Sequence, residues 1–272
     1  MKIKIIIILK KLFSISSRLN KKLFLVLVNL LYFFVNRKVK IKFDKNYKNF
    51  YAFDLNMNLK FYFLIPSRSI GFIRGLKKRF EGFAQNYLIN DFNFEDGDLI
   101  IDVGANIGDL KGYLDSKNIK VIYYGFEPSI KEFEILKLNC GQSYLENKGC
   151  WNENGVRTFY ISSENADSSF EKPASKIESK IDIEVLRIDS LINQEIKLLK
   201  IDGEGCELEI LEGCNEVLEK IKFITVDAGY ERGVNELCTF PEVANFLYSK
   251  GFTIEKFRSK DSRVCGLFKN NK

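Results

Sequence analysis

Residues 99–109 read LIIDVGANIGD, and a short way downstream residues 121–129 read VIYYGFEPS. Each stretch is an apolar run closing on an acid, Asp102 in the first and Glu127 in the second. The first continues through Gly104 and Gly108 toward a helix start near Asp109, the order of a parallel strand, a tight turn and a helix. A dinucleotide fingerprint carries three glycines as GxGxxG, so that a pyrophosphate rests on the helix N-terminus. Here the spacing is GxxxG, with Ala105 and Asn106 between the glycines. A carboxylate at Glu127, ending the next strand, suits the two hydroxyls of a ribose. Together the two acids and two glycines point to a nucleoside ligand that need not carry phosphates.

Working outward, short apolar runs alternate with amphipathic stretches from Asp91 onward, the pattern of an open parallel α/β sheet. The strands expected are Leu99 to Val103, Val121 to Phe126, Leu198 to Asp202, Phe223 to Asp227 and Phe252 to Phe257. VRTFYI (Val156 to Ile161) and Ile183 to Leu186 alternate like two more, flanking the polar loop SSENADSSFEKPASK, where substrate contacts are expected. After Asp202, Leu208, Ile210, Leu211, Val217, Leu218 and Ile221 give a period near 3.6, so a helix reaching about residue 220 is expected. Residues 1–90 form an accessory segment, with short strands at Phe50 to Leu55 and Leu59 to Ile65 and a helical stretch at Arg68 to Asn90. Residues 91–272 form the main domain.

Composition narrows the chemistry. The 272 residues hold no histidine, which removes Ser-His-Asp triads, Cys-His pairs and His-based metal centres. Six cysteines show no CxxC spacing, so free thiols in a reducing, cytoplasmic setting are expected, with Cys206 and Cys214 buried rather than nucleophilic. The net charge of +6 follows no regular basic stripe, so a nucleic-acid partner is not expected. Within residues 1–40 an apolar run from Leu23 to Val35 is flanked by lysines and arginine. It is too short to span a bilayer, and no small-residue cleavage site follows Ile5 to Leu9. Two placements stay open for this helix, lying on the inner membrane face or packing on the main domain.

The motifs DVGANIGD (102–109), GFEPS (125–129), NGVRTFY (154–160) with Ser168 and Ser169, LRIDSLI (186–192) and LLKIDGEGCELEILEG (198–213) resemble the FkbM-type class I methyltransferases. The resemblance runs from about Asp98 to Asp227. It implies a Rossmann-like class I methyltransferase sheet with helices on both faces, here with an N-terminal helical extension. It also implies S-adenosylmethionine as cofactor and transfer of its methyl to a hydroxyl of a saccharide, glycolipid or polyketide-type small molecule. By matching positions, Asp102, Gly104, Asn106 and Gly108 would line the methionine end, Glu127 the ribose and Ser129 the adjoining turn, with the segment after Asn139 near the adenine. Where the family often has a small residue before the glycine matching Gly155, this chain has Trp151.

Methyl transfer needs the acceptor hydroxyl aligned with the methyl and relieved of its proton. In LKIDGEG, Lys200, Asp202 and Glu204 stand at or just past a strand's carboxyl end. With histidine absent, Asp202 or Glu204 is the candidate base and Lys200 a further catalytic candidate. Asp202 capping the next helix and Glu204 complementing its dipole is the structural alternative. VDAGYERG (226–233) places Asp227, Tyr230, Glu231 and Arg232 on the same rim as an acceptor-binding loop. A Mg²⁺ site at Asp202, Glu204 and Asp227 is chemically reasonable, but no metal is expected. A non-catalytic scaffold for glycan assembly is the alternative reading; a nucleotide-dependent oxidoreductase is disfavoured by the missing third glycine.

Overall fold

The computed structural model describes residues 20–162, 168–174, 176–260 and 262–272. The Ile5 to Leu9 run and, within the SSENADSSFEKPASK loop, residues 163–167 and 175 lie outside them. The chain opens with helix α1 (Lys21–Val35) and an antiparallel meander, β1 (Val39–Asp44), β2 (Asn49–Asp54) and β3 (Leu59–Phe63). A 3₁₀ turn (Pro66–Phe72) and helix α2 (Leu76–Asn86) then lead into the main sheet. The helical stretch expected at Arg68 to Asn90 is divided between these two elements. Gly75, at φ +95°, ends the first turn and starts α2 on a new axis.

The αβ alternation follows: β4 (Leu99–Val103), α3 (Asp109–Ser116), β5 (Ile122–Phe126), α4 (Ile130–Cys140) and β6 (Tyr144–Glu146). A small three-stranded sheet comes next, from β7 (Gly149–Cys150), β8 (Gly155–Ser162) and β9 (Ile177–Leu186). The chain re-enters the main sheet with β10 (Ile196–Asp202), α5 (Glu207–Glu212) and β11 (Ile221–Asp227). A short ribbon of β12 (Tyr230–Arg232) and β13 (Leu237–Cys238) precedes α6 (Phe240–Ser249), and the antiparallel pair β14 (Phe252–Lys260) and β15 (Arg263–Asn270) ends the fold.

The seven-stranded sheet has the order β14-β15-β11-β10-β4-β5-β6, parallel from β11 to β6 and antiparallel through β15 and β14. Strands β4 and β10 lie side by side although almost a hundred residues separate them, because the chain runs outward through β5 and β6 and then returns. Their carboxyl ends form the crevice where open α/β sheets bind ligands. β4 is buried along its whole length, which is why it reads as a continuous apolar run rather than an alternating one.

Helices cover both faces of the sheet. One apolar cluster joins Phe24, Phe61 and Phe80 of the accessory segment to Ile100, Tyr123 and Leu198 of the sheet. Arg79 clamps this side to α3, giving Asp109 a bidentate pair of hydrogen bonds at 2.6 Å each. Asn139 on α4 ties in β3, accepting from Tyr62 N–H at 2.7 Å and donating to Tyr62 O at 3.1 Å. On the other face Ile210, Leu211 and Leu247 pack with Trp151 on Ile101, Leu199 and Ile201.

The helix expected to run to about residue 220 stops at Glu212. A Cβ on Gly213 would stand 1.9 Å from the carbonyl oxygen of Trp151, so the helix end is pressed against the strand-side backbone there. Gly213→Ala is expected to destabilise the protein by about 3 kcal/mol, since the clash is with main chain and cannot be relieved by a rotamer change. A urea unfolding midpoint unchanged from the parent would contradict that packing.

Candidate active site

A cleft opens at the carboxyl ends of β4, β5 and β10. Gly104, Asn106, Glu127, Ser129, Asp202 and Glu204 all line it. The small sheet closes the side opposite, with Cys150, Phe159, Ser169 and Phe170 on the wall. Asp102, Gly108 and Lys200 are not among the lining residues. A Cβ on Gly108 would meet Cys140 Sγ of α4 at 2.4 Å, so this glycine serves the contact of two helices. The side next to Glu127 is lined by Lys148 to Cys150 rather than by the residues directly after Asn139.

Gly104 is required by a neighbour. At φ +69°, its missing side chain leaves room for the carbonyl oxygen of Asp202, which a Cβ would approach to 2.2 Å. The β4 turn and the β10 end therefore touch through main chain. Lys200 fixes the same contact from below. Its Nζ lies 2.8 Å from Asp102 Oδ1 and donates to the carbonyls of Val103 at 3.1 Å and Gly104 at 2.8 Å. Tyr123 donates its hydroxyl to the other oxygen of Asp102 at 2.5 Å. Burial opposes the Lys200 charge, but Asp102 and Asp202 outweigh it and hold its pKa above the ordinary value. Burial also pushes Asp102 up, against the attraction of Lys200.

Glu127 sits on the cleft floor, 6% exposed. It accepts the N–H of Asn106 at 2.8 Å and that of Ser129 at 2.9 Å, one on each oxygen. Asn106 reaches this position through a left-handed backbone, φ +49°. Asn147 holds the outer turn by donating to the carbonyls of Glu127 and Pro128. Burial lifts the Glu127 pKa to about 7, the two backbone donors working against it. Each oxygen keeps a lone pair for a further donor, so the residue fits a vicinal diol.

The far wall is acidic. Carboxylate oxygens of Asp202, Glu204 and Glu231 lie within 4.8 Å of one another, close enough for a cation among oxygens. Asp202 Oδ2 accepts the hydroxyl of Tyr87, and Arg263 lies 3.9 Å away. Arg263 pairs with Asp227 at 2.5 Å and reaches Tyr87 Oη at 3.2 Å. Burial, then Asp202, Asp227 and Glu207, raises Glu231 to about 9. Burial and Asp202 raise Asp227 to about 6. Oδ1 of Asp202, Oδ1 of Asp227 and Oε2 of Glu231 are buried without a hydrogen-bond partner among the described residues. Of these acids Asp202 and Glu204 line the cleft, while Glu231 and Asp227, the two with raised pKa values, line adjoining openings.

The Gly203–Gly205 turn is held from three sides. Ser169 donates to the Glu204 carbonyl at 2.7 Å, Arg232 to that of Gly205 at 3.2 Å, and Glu207 accepts the Gly205 N–H at 2.9 Å. Arg232 also pairs with Glu209 at 2.5 Å, so its charge is spent on the scaffold.

These features agree with the sequence relationships. The model of the methyltransferase FkbM domain matches residues 102–254, more than half of the chain. The chain belongs to the FkbM methyltransferase domain family. Methyltransferase sdnD of Sordaria araneosa is 26% identical over 215 residues, covering 62% of this chain and 78% of that relative. Among solved structures, the methyltransferase FkbM from Methylobacillus flagellatus KT is similar at TM-score 0.49 and 17% identity, over 75% of this chain. The match spans about half of that structure, 54%. M. capricolum TrmK, solved with S-adenosylhomocysteine, is similar at TM-score 0.41 and 16% identity, over 70% of this chain and 68% of its own.

As a member of the FkbM methyltransferase domain family the chain is a methyltransferase. The sequence reading did not find Tyr87 and Arg263, which come from the accessory segment and from β15. No local motif marks either residue; only the fold brings them to Asp202. Trp151, the departure from the family pattern, is buried against Phe170 and is not among the cleft-lining residues.

Two substitutions test the electrostatics. Lys200→Met leaves Asp102 buried without its cation and is expected to destabilise the fold by about 3–5 kcal/mol in urea unfolding. Between the ordinary glutamate pKa of 4.5 and its raised value of about 9, folded Glu231 keeps a proton that the unfolded chain gives up. That difference lowers stability as pH rises through the window. Glu231→Gln is therefore expected to stabilise the protein at pH 8 by on the order of 2 kcal/mol and to change little at pH 4. Equal melting shifts at both pH values would refute the assignment.

Proposed function

We propose that the chain transfers the methyl of S-adenosylmethionine to a hydroxyl oxygen of a saccharide or glycoconjugate acceptor. The observation that carries this reading is the pairing of two unlike walls across one cleft. On one side stands Glu127, fixed by backbone donors, and on the other Asp202 and Glu204, with Glu231 close beside them. Bound S-adenosylmethionine supplies an electrophilic methyl on a sulfonium. Glu127 accepts the ribose hydroxyls, and the Gly104–Asn106 turn borders the rest of the donor.

The acidic wall serves the acceptor. Asp202, Glu204 and Glu231 approach closely enough for one of them to take the acceptor's proton while another accepts a hydrogen bond from a neighbouring hydroxyl. Tyr87 and Arg263 orient Asp202 through its Oδ2, leaving Oδ1 directed to other work. A polyhydroxylated acceptor suits a wall with several carboxylate acceptors and few apolar side chains. Asp102 and Lys200 support the turn from behind the cleft instead of touching either reactant.

Calorimetric titration with S-adenosylmethionine and S-adenosylhomocysteine tests the donor side. Glu127→Gln is expected to weaken both by about 10- to 100-fold, the scale of a charged hydrogen-bond acceptor. Because Glu127 must ionise to serve the diol, affinity in the parent protein is expected to rise from pH 6 to pH 8. Asp202→Asn is expected to leave donor affinity within about threefold while lowering turnover on the acceptor by about 10²-fold or more. No binding of either sulfur nucleoside to the folded protein would refute the reading and favour a scaffold.

A further inference from the structure

Helix α1 is apolar on two opposite faces. Phe24, Val28 and Tyr32, spaced four apart, are each no more than 2% exposed and seat the helix on the β1–β3 meander. Phe24 meets Phe50 edge-on at 5.5 Å, and Tyr32 donates to Ser69 O at 2.5 Å. Asn29 bonds β1 as a third strand would, donating to Ile41 O at 2.7 Å and accepting from Ile41 N–H at 2.9 Å. The helix is therefore fixed to the domain. On the opposite side Leu23, Val26, Leu27, Leu30, Phe33 and Phe34 form a second stripe at i, i+3, i+4, i+7, i+10 and i+11. Their exposures run from 41% at Leu27 to 76% at Phe34. Such a contiguous exposed stripe marks an interaction face.

Charge identifies what that face meets. The first 43 residues hold 11 Lys and Arg and no Asp or Glu, the first acid being Asp44. Lys21 and Lys22 at one end of α1, Arg37 and Lys38 at the other, and Lys40 and Lys42 on β1 are all exposed. Fifteen residues measure about 22 Å, short of the roughly 30 Å hydrocarbon core, and no described helix is long and apolar enough to cross a membrane. Two copies joined through this face in an isologous contact would set one basic rim against another.

We infer that the outer face of α1 docks on an anionic lipid bilayer, lying parallel to the surface with its aromatic and leucine side chains among the acyl-chain ends and its basic rim against the headgroups. Packing on the rest of the protein occupies the inner face alone, so it leaves the outer face free for the bilayer. The inference does not depend on the methyl acceptor.

Sedimentation of the full chain with vesicles tests it. Binding to phosphatidylcholine vesicles containing about 30% phosphatidylglycerol is expected to exceed binding to pure phosphatidylcholine by at least about tenfold and to weaken in 0.5 M salt. The double variant Leu30→Glu, Phe34→Glu should lose binding while keeping the parent's melting temperature, both residues being exposed. Lys21, Lys22, Lys38 and Lys40 changed together to Gln should weaken it by about tenfold or more. In Phe34→Trp, tryptophan emission should shift blue on adding the anionic vesicles. Absence of vesicle binding, or binding unchanged in the Leu30→Glu, Phe34→Glu variant, overturns the inference. A dimer that the same variant dissociates, with no vesicle binding by the parent, would assign the face to a second copy.

Discussion

The buried pair of Lys200 and Asp102 is the contact on which the site is built. It joins two adjacent parallel strands at the point where the chain has turned back, and it lies directly beneath the turn that begins the cleft. With Nζ also holding the carbonyls of Val103 and Gly104, one ammonium group fixes the direction in which β4 ends. Two charges out of water are tolerable there because each has several partners: Asp102 is further bonded by Tyr123, and Lys200 by main chain. Burying such a pair secures geometry more than it adds net stability.

From that fixed point the two walls follow. The Gly104 turn rests on the Asp202 carbonyl, so the turn after β4 and the acidic end of β10 are in direct contact. Asn106 is then brought within reach of Glu127, whose carboxylate bridges the ends of β4 and β5 through backbone N–H groups. The acidic wall is crowded by the same closeness. Burial and the nearby Asp202 carboxylate raise the proton affinities of Asp227 and Glu231 because β10, β11 and β12 come close together, with Arg263 as the main nearby cation besides Lys200.

Much of this was legible in the residues. DVGANIGD and GFEPS place two strand ends, and β4 begins and ends where the sequence pattern puts it, because a parallel strand buried on both faces reads as a nearly continuous apolar run, broken here only by Asp102. Glu127 and Asp202 were readable as acids just where such strands present side chains to a ligand. The glycines were readable as turn formers, but their partners were not: Gly104 yields to the Asp202 carbonyl and Gly108 to Cys140, both distant in sequence. The helix after Asp202 was overextended because the 3.6-residue period continues through Val217 and Leu218, while the backbone of Trp151 blocks its path. Lys200 looked catalytic from its place in LKIDGEG; its position beneath the turn depends on which strand lies beside β10.

The sequence by itself determined the strand ends, the two-glycine turn, the carboxylates at the strand ends and the exclusion of histidine chemistry, since each is set by local pattern or composition. Only the tertiary structure decided which acids share a wall, that Tyr87 and Arg263 orient Asp202, and that α1 has one face packed and one exposed. Those are matters of long-range adjacency, created when strands far apart in sequence become neighbours in one sheet, and short-range periodicity does not encode them.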